Sequence, residues 1–193
     1  AQTNLVTYPF TGNTLIGGRT YEATLQTTPP TIIYSNPPES LSNDRLKAKD
    51  IGQYVEITID TRGFSNISFE DKGKRIAFDI SPVNTVLNFY SNTLGFEYDD
   101  KGEIAKSGKL DLELFDKLNK LEFYNLSYPK SLGIEFVNEI LFPIIESYKI
   151  SEKDKLNTFV EHIAFQISKV ITKKETSLLI TGGGVYNDFL IER

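Results

Sequence analysis

Two stretches of this chain carry residue types suited to holding a phosphorylated ligand. The first reads Gly63-Phe-Ser-Asn-Ile-Ser-Phe69, a charged turn, then Arg75-Ile-Ala-Phe-Asp-Ile-Ser-Pro-Val-Asn84. The second is an apolar run, Ser177 to Ile180, leading into Thr181-Gly-Gly-Gly-Val-Tyr-Asn187. Glycines let a backbone come close to phosphates or a purine, and a following helix N-terminus favours anions. A carboxylate at a strand tip, such as Asp79, can hold magnesium through water. Each piece also has a plain reading on its own. Gly182 to Gly184 reads as a tight strand-to-helix turn, and Asp79 as a turn or cap residue.

These groups need elements to position them. Gly63 to Glu70 and Arg75 to Ile80 read as a hairpin across Asp71-Lys-Gly73. Gln53 to Ile59 alternates and is β-branched, which predicts a strand. Asn84 to Leu94 predicts a helix with Val86, Leu87 and Tyr90 on one face, and Asp111 to Leu121 a short amphipathic helix. Gly133 to Tyr148 predicts a longer helix that Pro143 kinks or cuts. Ser151 to Ile171 is the clearest helix, with Ser151 as its cap and Leu156, Phe159, Val160, Ile163, Ile167 and Val170 as its stripe. Thr176 to Ile180 predicts a buried strand, and a last helix begins at Val185. Helix stripes leading into a buried strand are the grammar of an α/β domain.

Residues 1 to 58 differ in composition, being rich in Thr, Pro, Asn and Tyr, with the breakers Thr28-Pro-Pro30 and Asn36-Pro-Pro38. Short strands are predicted at Tyr21 to Leu25 and Thr31 to Tyr34, and a short helix at Leu41 to Lys49. The division expected is a β-rich segment over 1–58 and a second unit over 59–193.

The chain has 193 residues, 39% hydrophobic and 24% charged, an ordinary globular composition. Its net charge of −5 argues against a nucleic-acid surface. No apolar run approaches membrane-spanning length, so no membrane partner is expected. With no cysteine, disulfides and thiol chemistry are excluded. The single His162 cannot build a histidine metal cluster and reads as structural. Asp99, Asp100 and Glu103 resemble a fragment of a calcium loop, but the ligand pattern is not completed, and a solvated turn is the expectation.

Taken in order and spacing, the motifs resemble the C-terminal half of the anhydro-N-acetylmuramic acid kinases. The resemblance covers about residues 63 to 193. It rests on Gly63–Phe69, Ile76–Asn84, Tyr98–Ala105, Ser107-Gly108, Pro129-Lys-Ser-Leu-Gly133 and Ile180–Asn187. It implies one lobe of the actin- and hexokinase-like ATPase fold, which is ribonuclease H-like, with a β-rich N-terminal segment. It further implies a cytoplasmic enzyme of peptidoglycan recycling that uses ATP and magnesium. Such an enzyme opens the anhydro bridge of the amino sugar with water and phosphorylates its 6-hydroxyl, and a homodimer is the candidate assembly. On this resemblance Gly63, Ser65 and Asn66 lie beside the phosphates, and Gly182, Gly183, Gly184 and Asn187 line the adenosine. Asp79 stands on the metal side and Asn84 on the sugar side.

The chain departs from the family where Arg62 replaces a glycine. It has no match to the family's Gly-Thr-Ser-x-Asp-Gly loop, nor to the Gly-Gly-Gln-Gly-Ala-Pro segment near the general base. Leu15-Ile-Gly-Gly-Arg19 is the nearest look-alike. The alternative reading is therefore a non-catalytic binding or structural protein that retains this lobe alone.

Overall fold

The computed structural model describes residues 6–7, 12–16, 19–23, 31–34, 57–171 and 178–193. The protein is a mixed α/β molecule. Its eight described strands are β1 (Val6–Thr7), β2 (Gly12–Ile16), β3 (Arg19–Ala23), β4 (Thr31–Tyr34), β5 (Ile57–Thr61), β6 (Phe64–Asp71), β7 (Lys74–Pro82) and β8 (Leu178–Thr181). Six of them form one sheet in the order β1-β4-β8-β5-β6-β7, while β2 and β3 pair apart. The strands β5, β6 and β7 make an antiparallel meander, and β8 returns parallel to β5.

The β6–β7 turn forms where the sequence places it. Lys72 and Gly73 both take positive φ, 49° and 74°, the geometry of a two-residue turn that matches strand twist. Of the stretch Leu15 to Arg19, Leu15 and Ile16 end β2 and Arg19 opens β3, with Ile16 paired to Arg19. The helix expected at Leu41 to Lys49 lies outside the described residues, as do the first residues of the strand expected from Gln53. Strand β4 joins the main sheet beside β8, in parallel.

Between β7 and β8 the chain is helical: α1 (Asn84–Thr93), α2 (Glu103–Lys106), α3 (Leu112–Asn119), α4 (Ile134–Phe136), α5 (Phe142–Glu146) and α6 (Glu152–Val170), with α7 (Asp188–Glu192) after β8. The expected kink at Pro143 is a π-helical turn, Val137–Leu141, between α4 and α5. Proline has no N–H for the ladder, and the wider turn absorbs the mismatch. Helix α6 starts at Ser151, whose hydroxyl accepts from the Asp154 amide at 3.2 Å and donates to its carboxylate at 2.8 Å.

The core joins Ile59, Ile67 and Ile80 of the sheet to Val86, Leu87 and Tyr90 of α1 and to Leu156, Phe159, Val160 and Ile163 of α6. Helix α6 is buried more completely than its stripe predicts, because α1, α2, α3 and α7 all pack on it. Its polar side chains are therefore bonded to those neighbours. Asn157 donates to the carbonyls of Ala105 and Gly108, at 3.0 and 3.2 Å. Thr158 accepts from the Asp111 amide at 2.9 Å. Lys155, only 4% exposed, donates to Glu146 at 3.0 Å, and the Tyr90 hydroxyl meets the same carboxylate at 2.8 Å.

His162 is structural, as expected. Its Nδ1 lies 2.7 Å from Asn119 Oδ1, which also accepts from Gln166, so the proton sits on Nδ1. Burial holds its pKa down at about 3. The folded protein thus refuses a proton that the unfolded chain takes up near pH 6.5. Stability is full above that pH and falls as the pH drops from about 6.5 towards about 3. The depressed carboxylates Glu146 and Asp154 act at lower pH, and Asp99, raised by burial, acts with the opposite sign. Urea unfolding at pH 7.5 and pH 5 should show a larger loss of stability in the native sequence than in His162→Gln. Equal losses would remove the histidine from the account.

Candidate functional site

The carboxyl ends of β5 and β8 lie side by side, with Asp60 paired to Thr181. In sheets of this kind ligands enter at the carboxyl ends of parallel strands. The Thr61 hydroxyl fastens the two strands by donating to the Thr181 carbonyl at 2.7 Å. Three segments meet at this edge: the turn Arg62-Gly63, the start of α1, and the glycine turn Gly182–Gly184.

Gly63 acts here through its carbonyl. It accepts from the Val83 amide at 2.9 Å, the Thr85 amide at 3.3 Å and the Thr85 hydroxyl at 2.9 Å. The Arg62 carbonyl accepts from the Asn84 amide at 3.2 Å. Helix α1 has no side-chain cap, so these two carbonyls take up its first amides. Those amides are thereby committed to the protein, and the positive end of the helix acts on the site as a dipole only.

The glycine turn follows β8 directly. Gly182 has φ 92°, a conformation that other residues rarely adopt. A Cβ on Gly183 would stand 2.9 Å from Asn84 Nδ2, and one on Gly184 would stand 2.7 Å from the Thr61 carbonyl oxygen. The glycine turn therefore touches both the start of α1 and the end of β5. The amides of Gly183 and Gly184 have no acceptor among the described residues; Gly184 is buried, so the exposed Gly183 amide is the backbone donor left for a ligand.

The remaining residues singled out from the sequence are placed differently. Ser65 is fully buried, and its hydroxyl donates to the Ser81 carbonyl at 3.0 Å. A bulge between Ser65 and Asn66 sets that pairing. Asn187 is buried and caps α7, accepting from the Leu190 amide at 2.9 Å. Asn66 and Asp79 face each other across β6 and β7, and the register continues through Asp60 to Thr181 in one row. This row was not visible in the sequence; the alternation of β5 and β6, read against each other, is the signal that could have found it.

Asp79 lies three strands from the glycine turn, about 14 Å at the usual strand spacing. Its Oδ2 accepts from the Ser131 hydroxyl at 3.0 Å and the Leu132 amide at 2.7 Å, while its own amide donates to the Lys130 carbonyl at 3.1 Å. The Pro129–Gly133 segment thus lies along the outer side of β7, an edge strand within the described sheet, and Asp79 is its anchor. One oxygen, Oδ1, is left for a metal. No group of three or more metal-binding side chains exists among the described residues. Magnesium bound with phosphates usually takes only one or two carboxylates and fills the rest with water, so Asp79 can supply a single ligand at most.

The Asp99 region differs from the solvated turn expected. Asp99 is 7% exposed and accepts from the amides of Ile104 and Ala105 at 2.8 and 2.9 Å, closing the start of α2. Burial raises its carboxyl above the ordinary range against the pull of those two amides. No calcium loop forms.

The molecule is an α/β protein with a glycine turn at the ends of parallel strands. A family model for anhydro-N-acetylmuramic acid kinase matches residues 47–193. The chain belongs to that family. It is similar to the anhydro-N-acetylmuramic acid kinase of Hydrogenovibrio crunogenus, at 30% identity over 78% of this chain and 42% of the relative. The enzyme of that name from Aliivibrio fischeri is 32% identical over 72% of this chain and 40% of its own length. That of Hahella chejuensis is 31% identical over 68% and 37%. The chain thus spans about two fifths of the length of the relatives it matches.

The two tight glycines should respond differently to substitution. Gly184→Ala forces a methyl against the Thr61 backbone and should cost about 1–3 kcal/mol by overpacking. Gly183→Ala meets only the movable Asn84 amide and should leave thermal unfolding nearly unchanged. Equal destabilisation by both would contradict this packing.

Proposed function

We propose that this chain is the nucleotide-side lobe of an ATP-dependent anhydro-N-acetylmuramic acid kinase, built on the ribonuclease H-like plan of actin and hexokinase. The observation that carries the reading is the meeting of Gly183 with Asn84 at the ends of β5 and β8. Membership of the family supports it, and so does a meander followed by helices and a parallel return strand. The proposed division into a β-rich segment over 1–58 and a lobe over 59–193 goes with this reading.

The free amide of Gly183 would receive the nucleotide, with Gly182 and Gly184 shaping the turn around it, and Asn84 would stand at the edge nearest the sugar. Gly63, Ser65 and Asn187 would serve the scaffold of the site: the Gly63 carbonyl holds α1, the Ser65 hydroxyl ties β6 to β7 at the bulge, and the Asn187 side chain caps α7. Asn66 and Asp79 would face the phosphate side from the row on β6 and β7. Magnesium, arriving with the phosphates, would neutralise their charge, and Asp79 Oδ1 is the oxygen available to it. Phosphoryl transfer depends mostly on positioning and charge neutralisation, which such a surface can supply. Water attack on the anhydro bridge also needs a general base within hydrogen-bond reach, and no match to the family's base segment occurs in this sequence. A cytoplasmic reaction goes with the proposed use of ATP.

A second reading, a lobe that binds without catalysis, is favoured by that same absence. A coupled assay for ADP release separates the two. The chain by itself should turn over the anhydro sugar at least about 10²–10⁴-fold below an ordinary kinase rate of about 1–100 per second. Turnover at the ordinary rate would mean that another carboxylate, such as Glu22, Asp44 or Asp60, acts as the base. The non-catalytic reading would then fail.

This chain alone should bind magnesium-ATP weakly, since the family's Gly-Thr-Ser-x-Asp-Gly loop has no match in it, and calorimetry giving submicromolar affinity would contradict this. Asp79→Asn preserves an acceptor for Ser131 and Leu132 but removes the charge. It should weaken magnesium-dependent binding while keeping the native melting temperature, whereas Asp79→Ala should lower both. If Asp79→Asn binds as tightly as the native sequence, Asp79 is an anchor and not a metal ligand.

A further inference from the structure

A cavity of about 250 Å³ lies between β7, the turn Glu122–Asn125 and the last turns of α6. Phe78 and Ile80, its lining residues on β7, flank Asp79 along that strand, three strands from the glycine turn on β8. Phe78, Tyr124, Tyr128, Lys130, Gln166 and Lys169 give it its chemistry.

Three features bear on an occupant. The first is a flat apolar wall. Phe78 and Tyr128 stack at 5.6 Å with their planes 9° apart. The second is an orphaned donor. The Tyr124 hydroxyl is buried and has no hydrogen-bond partner among the described residues, and Tyr124 is one of the residues lining the cavity. Burial keeps the phenol protonated, so it has a proton to give. A buried hydroxyl without a partner costs free energy that a ligand acceptor would recover. The third is charge. Lys130 and Lys169 line the same cavity, no carboxylate does, and neither lysine has an acidic partner among the described residues. Lys130 donates to the Phe123 carbonyl at 3.2 Å and lies 4.5 Å over its ring; Lys169 lies 5.7 Å from the Phe165 ring. These partners are neutral, so among the described residues no acid compensates the two positive charges at the cavity.

We propose that this cavity binds a small carboxylate carrying a flat apolar ring, an aromatic acid. The ring would lie along Phe78 and Tyr128. The carboxylate would accept from Tyr124 and pair with Lys130 and Lys169. The space suffices: roughly 150 Å³ holds a benzene ring, which leaves room for the carboxylate. A bare dianion such as phosphate suits the site less. It would lose its water against aromatic faces that return nothing to it.

The test is calorimetric titration of the full chain with benzoate, benzyl alcohol and inorganic phosphate in parallel. Benzoate should bind saturably, and each of the others at least about tenfold more weakly. Lys169→Gln and Tyr124→Phe should each weaken benzoate about tenfold or more, the scale of a lost hydrogen bond to a charged group. Circular dichroism melting confirms that both variants are folded. Binding of benzyl alcohol equal to benzoate would reduce the site to an apolar hole, and equal binding of phosphate would reduce it to a charged patch. Either result overturns the proposal. So does the absence of saturable benzoate binding, or benzoate affinity unmoved in both folded variants.

Discussion

Helix α6 is buried on nearly every side from Lys155 to Ile163, so its polar side chains have no water to turn to. A buried polar group without a partner is costly, and this requirement organises the helices around it. Asn157 takes carbonyls in and just after α2, Thr158 the amide at the start of α3, Gln166 and His162 the far end of α3, and Lys155 the carboxylate at the end of α5. Rotating or sliding α6 would break several of these at once. The helix is thereby fixed in register. Since it leads into β8, it also fixes where the glycine turn emerges at the sheet edge.

The sheet has a corresponding constraint at its other side. β7 is an edge strand within the described sheet, and an uncovered edge invites pairing with another chain. The Pro129–Gly133 segment lies along it, held by both oxygen-accepting and backbone contacts of Asp79. The segment that marks the family most specifically in sequence therefore has a clear structural duty. Gly63 is similar: its carbonyl replaces the missing side-chain cap of α1. These positions thus serve the scaffold first, and the ligand-facing surface is left to the glycine turn and its exposed Gly183 amide.

Much of the fold was legible in the sequence because its signals are local. Lys72-Gly73 needs only its own backbone preference, Ser151 its own hydroxyl, and α6 its own period. The site was legible in part. The glycine turn and Asn84 do come together, although the chain between them is long. What could not be read depends on partners distant in sequence. Nothing near Asp79 announces that Ser131 and Leu132 will bind it. Nothing near Ser65 announces that a bulge will face it to Ser81. Asp99 reads as a surface acid until α2 closes over it. Asn187, read as a nucleotide contact on the resemblance, has the local pattern of a cap as well, and the cap is the bond it makes.

The central claim is that the turn at Gly63, the start of α1 and the glycine turn form one ligand surface. Titration of isotope-labelled chain with magnesium-ADP, followed through backbone amide resonances, tests it most directly, because millimolar binding is still visible there. The account predicts saturable shifts clustered at Arg62 to Phe64, Val83 to Thr85 and Gly182 to Gly184, with a common dissociation constant. Shifts that gather elsewhere, or none at these three segments at saturating nucleotide, would contradict it.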